Sequence, residues 1–142
     1  MRLFLDTSVL LAATGSDTGA SRAVLDLAAG NGWTLLSSRY CVAEAQSNMH
    51  KVSPSASSVW RTAIRPSIQI VNDSVVLDRP LVFPKAKDKP VLITALASES
   101  SFLLTLDRRD FGPFMTRPIY GLRVILPLAF LHLMRNEGRL SE

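Results

Sequence analysis

Two short apolar runs in this chain each stop at an aspartate: Leu3-Phe4-Leu5 is followed by Asp6, and Phe102-Leu103-Leu104-Thr105-Leu106 by Asp107. Runs of this length, apolar at successive positions, read as strands buried on both faces of a parallel sheet. Helical signals fill the intervals. Residues 9–13 form one segment and residues 20–29 a second, with Ala20, Val24, Leu27 and Ala28 at helical spacing and Gly30 with Gly32 as its stop. Residues 33–36 read as the next strand, and Ser37 or Ser38 offers a cap for a helix over 39–50. Pro54 suits the first turn of a helix that carries Val59, Trp60, Ala63 and Ile64 to a stop before Pro66, ahead of a strand at 68–71. Further on, the pattern predicts a helix over 88–99 with Val91, Leu92, Ala95 and Leu96 as its apolar stripe, a loop over 110–117, a strand over 123–126, and a closing helix over 128–135 opened by Pro127. Between 72 and 87 the signals divide, since Val75, Val76 and Leu77 suit a helix or a strand while Pro80 and Pro84 suit a loop. Strands alternating with helices predict an α/β chain: a three-layer α/β/α sandwich with a central, mostly parallel sheet and right-handed crossovers.

The chain has 142 residues, of which 47% are hydrophobic and 20% charged, enough for the full core of one domain spanning residues 1–142. Its one cysteine, Cys41, cannot form an intramolecular disulfide, and its setting between Tyr40 and Val42 suggests a buried thiol. The apolar run before Asp6 is too short for a signal peptide. The longest apolar stretch, residues 119–134, is broken by Arg123 and Pro127 and falls short of a membrane span. The expectation is a cytoplasmic protein with no membrane contact.

Five acids stand where strands turn into helices or along a helix: Asp6, Glu44, Asp88, Asp107 and Asp110. An acid directly after a buried strand must be paired, bound to a cation, or aimed into a solvent-filled crevice. Asp6 followed by Thr7 and Ser8 equally suits a helix cap, and Asp88, at the start of a helix, suits one better still. Glu44 falls on a helix with Ala43, Ala45 and Met49, on either its wet or its inward face. Asp107 repeats the Asp6 pattern, with Thr105 able to add a hydroxyl, and Asp110 lies three residues on, where it reaches the same site or caps the turn before Phe111. If these acids meet, they cannot all stay ionised without a cation, and oxygen-only ligands favour Mg²⁺ or Mn²⁺ over zinc.

Other chemistries have less support. His50 and His132 lack a Ser or Cys partner in a nucleophile motif and form no zinc-like cluster with Cys41. Gly15 and Gly19 lack the ending of a phosphate-binding loop. Sixteen Lys and Arg oppose twelve Asp and Glu, and setting Asp6, Glu44, Asp88 and Asp107 aside leaves eight acids. A small acidic site in a basic shell suits a polyanion. Lys85, Lys87 and Lys89 surround Asp88, and Arg108 with Arg109 follows Asp107, so phosphate-binding charge falls beside the acids; an ordinary solvated loop is the plainer account of each run alone.

The opening Leu5-Asp6-Thr7-Ser8-Val9-Leu10, the helical Glu44, the segment from Lys87-Asp88-Lys89-Pro90 to Ala95, the stretch Leu104-Thr105-Leu106-Asp107-Arg108-Arg109-Asp110-Phe111 and the closing Val124-Ile125-Leu126-Pro127-Leu128 stand in an informative order. Together they resemble the PIN domain, most closely the VapC-like ribonuclease toxins of bacterial type II toxin–antitoxin pairs. That resemblance implies a Mg²⁺-dependent endoribonuclease, with Mn²⁺ as a substitute, in which Asp6, Glu44, Asp88 and Asp107 hold the metal and carry catalysis. Asp110, Thr105 and Ser8 become accessory residues, and Lys85, Lys87, Lys89, Arg108 and Arg109 the contacts to RNA. It also implies a homodimer neutralised by a small antitoxin that covers the site. Two positions depart from the family pattern: Ser8 where Asn is frequent, and Leu106 where Gly is frequent. The rival readings are a catalytically silent PIN-like module that binds RNA or protein, and a phosphoryl-accepting signalling domain, for which no accepting Asp or partnering Lys stands out. Trp60 and Phe83 suit either the core or a partner surface.

Overall fold

Leu3, Phe4 and Leu5 have no exposed surface, so the first strand sits in the middle of the molecule, as an unbroken apolar run demands. The computed structural model describes residues 1–80 and 89–142, with the side chain of residue 89 outside the description. Five strands, β1 (Arg2–Leu5), β2 (Thr34–Ser38), β3 (Gln69–Val71), β4 (Phe102–Leu104) and β5 (Arg123–Ile125), form one parallel sheet in the order β3-β2-β1-β4-β5. Leu3 pairs with Leu35 on one side and with Phe102 on the other. The helices are α1 (Thr7–Gly15), α2 (Ala20–Asn31), α3 (Arg39–Asn48), α4 (Ala56–Val59), α5 (Lys89–Ala97), α6 (Arg108–Phe111) and α7 (Pro127–Asn136). With a parallel sheet between them, they make the three-layer α/β/α sandwich that the alternating pattern predicts.

Helix α2 packs on α1 and α7, while α1 also packs on α3. The α2–α7 side is closed by aromatic contacts: the Phe130 ring meets Trp33 and Phe102 edge to face, with centroids 5.0 and 5.1 Å apart. Gly32 takes a left-handed φ of 67° to end α2, the conformation in which a side chain is strained.

Two segments differ from the expectation. The regular helix predicted up to Pro66 is instead α4, a π turn over Trp60–Ile64 and a 3₁₀ turn over Arg65–Ser67. Pro66 has no amide to return to Thr62, and the Arg65 amide bonds five residues back to the Trp60 carbonyl, so the turn widens while Trp60 and Ile64 stay buried. The loop predicted over 110–117 opens with α6 and a 3₁₀ turn over Gly112–Phe114, because Asp107 caps α6 through a bond accepted from the Asp110 amide at 2.9 Å. Asp88, Lys85, Lys87, Phe83 and the side chain of Lys89 lie outside the described residues. Over 72–80 the chain carries no helix or strand. No helix among the described residues is long and apolar enough to cross a membrane.

Candidate active site

The strand order places a topological switch between β1 and β4: from β1 the chain moves outward through β2 and β3, then returns to the far side of β1. Connections leaving the carboxyl ends of neighbouring strands run to opposite faces of the sheet at such a point and leave a crevice between them. Asp6 follows β1 directly, and its amide donates to the Leu104 carbonyl at 3.0 Å, extending the β1–β4 pairing by one residue. The side chain is therefore held beside Thr105.

A cleft of about 280 Å³ opens there, lined by Asp6, Ser8, Tyr40, Glu44, Asp107 and Asp110, with Leu11, Val91 and Phe111 among its apolar walls. Asp6 occupies the residue before α1 but makes no capping bond to that helix. Its Oδ2 instead accepts hydrogen bonds from the Thr105 hydroxyl at 2.8 Å and the Ser8 hydroxyl at 3.0 Å, and the Cys41 thiol lies 3.9 Å from Oδ1. Burial pushes the Asp6 carboxyl above the ordinary carboxylate range; the Thr105 and Ser8 hydroxyls pull the other way, and the Glu44 charge adds to the upward push. Burial also holds the Cys41 thiol at about 11, with the Asp6 charge adding to it, so this sulfur is an inert neighbour.

Ser8 and Thr105 tie the two strand ends together. The Ser8 hydroxyl accepts from the Leu106 amide at 3.0 Å, and the Thr105 hydroxyl accepts from the Asp107 amide at 3.1 Å. Leu106 does not take a positive φ, so this turn has no need of glycine, and its side chain points outward at 45% exposure. Both departures from the family pattern are thus absorbed locally. Asp107 is half-buried, its Oδ1 occupied by the α6 cap, whereas Asp110 is buried at 8% exposure and still lines the cleft.

Glu44 is brought in from the β2 side by α3, half-buried and aimed at the cleft. Ser38 caps that helix by accepting from the Cys41 amide at 3.1 Å, and Asp73 accepts from the Tyr40 amide at 3.2 and 3.3 Å, so two otherwise orphaned amides are satisfied. One turn before Glu44, the Tyr40 hydroxyl donates to Glu44 Oε2 at 3.1 Å. The Glu44 charge raises the Tyr40 phenol above its ordinary value, so it remains a donor at neutral pH. Since Ser38 is only 1% exposed, Ser38→Ala is expected to cost about 1 kcal/mol through the lost cap, read as a lower midpoint in urea unfolding.

Four of the five acids singled out in the sequence thus face one cleft, and Asp88 lies outside the described residues. Among the described residues, no three acidic, imidazole or thiol groups are gathered closely enough to hold an ion between them. In kind, however, the donor set fits a hard divalent cation: every candidate ligand is a carboxylate, and the innermost one is driven toward its proton by burial. Arg108 and Arg109 stand exposed on α6, without an ion-pair partner among the described residues. Sequence reasoning missed Tyr40 and Asn48 as cleft residues; the four-residue interval from Tyr40 to Glu44 was the available signal.

An open parallel sheet whose switch-point crevice collects carboxylates defines an α/β protein whose cleft suits a hard cation. A family model for the PIN domain matches residues 2–109, a span that contains Asp6, Glu44, Asp88 and Asp107 and ends just before Asp110. The chain belongs to the PIN domain family, whose members are generally metal-dependent nucleases. No curated protein matches the chain.

Proposed function

We propose that this protein is a Mg²⁺-dependent endoribonuclease, with Mn²⁺ as a substitute, and the toxin of a toxin–antitoxin pair. The observation that carries the catalytic reading is the convergence of Asp6, Glu44, Asp107 and Asp110 on one cleft at the switch point. Asp6, Glu44 and Asp107, joined by Asp88, would hold the ion, with Asp110 as an accessory acid. The chemistry supplied by such an ion when bound is Lewis acidity, that is, water activation and charge compensation at the phosphodiester. The protein's own part is positional. Ser8 and Thr105 orient Asp6, Tyr40 orients Glu44, and the Asp110 amide orients Asp107. Arg108 and Arg109, with Lys85, Lys87 and Lys89, would hold flanking phosphates, giving affinity that falls steeply with salt.

Incubation of the purified chain with total bacterial RNA should give cleavage with Mg²⁺ or Mn²⁺ and none in EDTA. RNA left intact with both ions overturns the enzymatic reading in favour of a silent RNA- or protein-binding module. The toxin role, with a homodimer and a neutralising antitoxin in the cytoplasm, rests on the resemblance to VapC-like proteins. Expression in a bacterium should arrest growth, and Asp107→Asn, which keeps a side chain able to cap α6, should relieve it.

A further inference from the structure

Tyr40 lines the acidic cleft and is 48% exposed, so a large part of its surface is open to a ligand entering there. It is not loose. Its hydroxyl is tied to Glu44 Oε2, and its backbone amide to the Asp73 carboxylate, so the ring is oriented by its hydroxyl on an anchored helix start. An aromatic ring already held in place loses little conformational freedom on contact.

The strand order decides what faces it. Helix α3 starts at the end of β2, and α6 follows β4; these strands flank β1, whose end carries Asp6. Tyr40 therefore stands on one rim of the cleft and the exposed Arg108 and Arg109 on the other. A phosphodiester lying across the acids would have guanidinium groups toward one neighbouring nucleotide and an aromatic face toward the other.

We propose that Tyr40 is a specificity-determining residue whose ring stacks on the nucleobase beside the scissile phosphate and so selects single-stranded RNA. The inference rests on the ribonuclease reading above. Every base offers a π-face, so such a platform tolerates sequence but needs the base free. Bases in a duplex are already stacked and paired, and freeing one is costly.

The test uses a single-stranded RNA oligonucleotide carrying 2-aminopurine, and the same strand annealed to its complement. Wild type should cleave the single strand in preference to the duplex and quench the 2-aminopurine fluorescence on binding with Ca²⁺ in place of Mg²⁺. Tyr40→Leu should lose the quench and lower kcat/KM on the single strand roughly tenfold, mainly through KM, narrowing the preference over the duplex. Tyr40→Trp and Tyr40→Phe should both restore most of the quench and of KM, with kcat lowered in each because the hydroxyl tether to Glu44 is gone. Rescue by an aromatic residue is not expected of a merely structural position. Cleavage by wild type together with an unchanged KM and quench in Tyr40→Leu overturns the stacking role and leaves the nuclease reading intact. Quenching without cleavage overturns the nuclease reading alone, and neither signal overturns both.

Discussion

Asp6→Asn is expected to abolish divalent-ion-dependent RNA cleavage, by more than the roughly 10–100-fold that outer-shell partners of a metal ligand typically command. The variant should remain folded, because Asn preserves the shape of a side chain whose burial already disfavours its charge. The sign of the stability change follows from the same fact. A carboxyl whose folded-state pKa is raised binds its proton more readily in the native state, so its contribution is most favourable below the unfolded pKa and is lost as pH rises through the folded one. In EDTA, wild type should therefore lose stability relative to Asp6→Asn as pH rises above the unfolded carboxyl value of 3.8. Mg²⁺ should reverse the loss in wild type by binding the native state, and should do so far less in the variant. Urea midpoints across pH, with and without Mg²⁺, measure this. Parallel pH profiles with full nuclease activity in Asp6→Asn would remove Asp6 from the site.

How much of this was legible beforehand depended on whether the relevant contact was local. β1 and β4 could be read because burial on both faces leaves an unbroken apolar run, and the closing helix because Pro127 fits a first turn. The irregular turns around Trp60 and Pro66 could not, since the missing Pro66 amide can break a helix or widen it, and tertiary packing chooses. Asp6 is the sharpest case. Asp-Thr-Ser reads equally well as a cap or as a cleft acid, and what separates them is a hydroxyl 99 residues away that draws the carboxylate off the helix amides. Asp107 went the other way: it faces the cleft and is also a cap, through the α6 turn that the sequence reading treated as loop. Asp110, an accessory acid by the family resemblance, is the more buried of that pair because the same turn folds it inward.

The hydroxyl in question belongs to Thr105, which has no exposed surface and serves both strand ends at once. It donates to Asp6 Oδ2 at 2.8 Å and accepts from the Asp107 amide at 3.1 Å, with Ser8 Oγ a further 3.4 Å neighbour. Thr105→Val keeps the branched shape and removes only the polar atom. The carboxylate of Asp6 then keeps Ser8 as its hydroxyl donor, and the Asp107 amide loses its acceptor in a part-buried turn. We expect cleavage to fall about 10–100-fold, the usual effect of deleting an outer-shell partner. Stability in EDTA should fall by about 1–3 kcal/mol, the cost of leaving a buried polar group unmade. Thr105→Ser, which restores the hydroxyl without the methyl group, should recover most of the activity while giving up some packing. If Thr105→Val cleaves RNA as wild type does, then Asp6 and Asp107 are not aligned through this shared oxygen. In that case the Ser8 bonds to Asp6 and the Leu106 amide must set the geometry, and Ser8→Ala should show the larger loss instead.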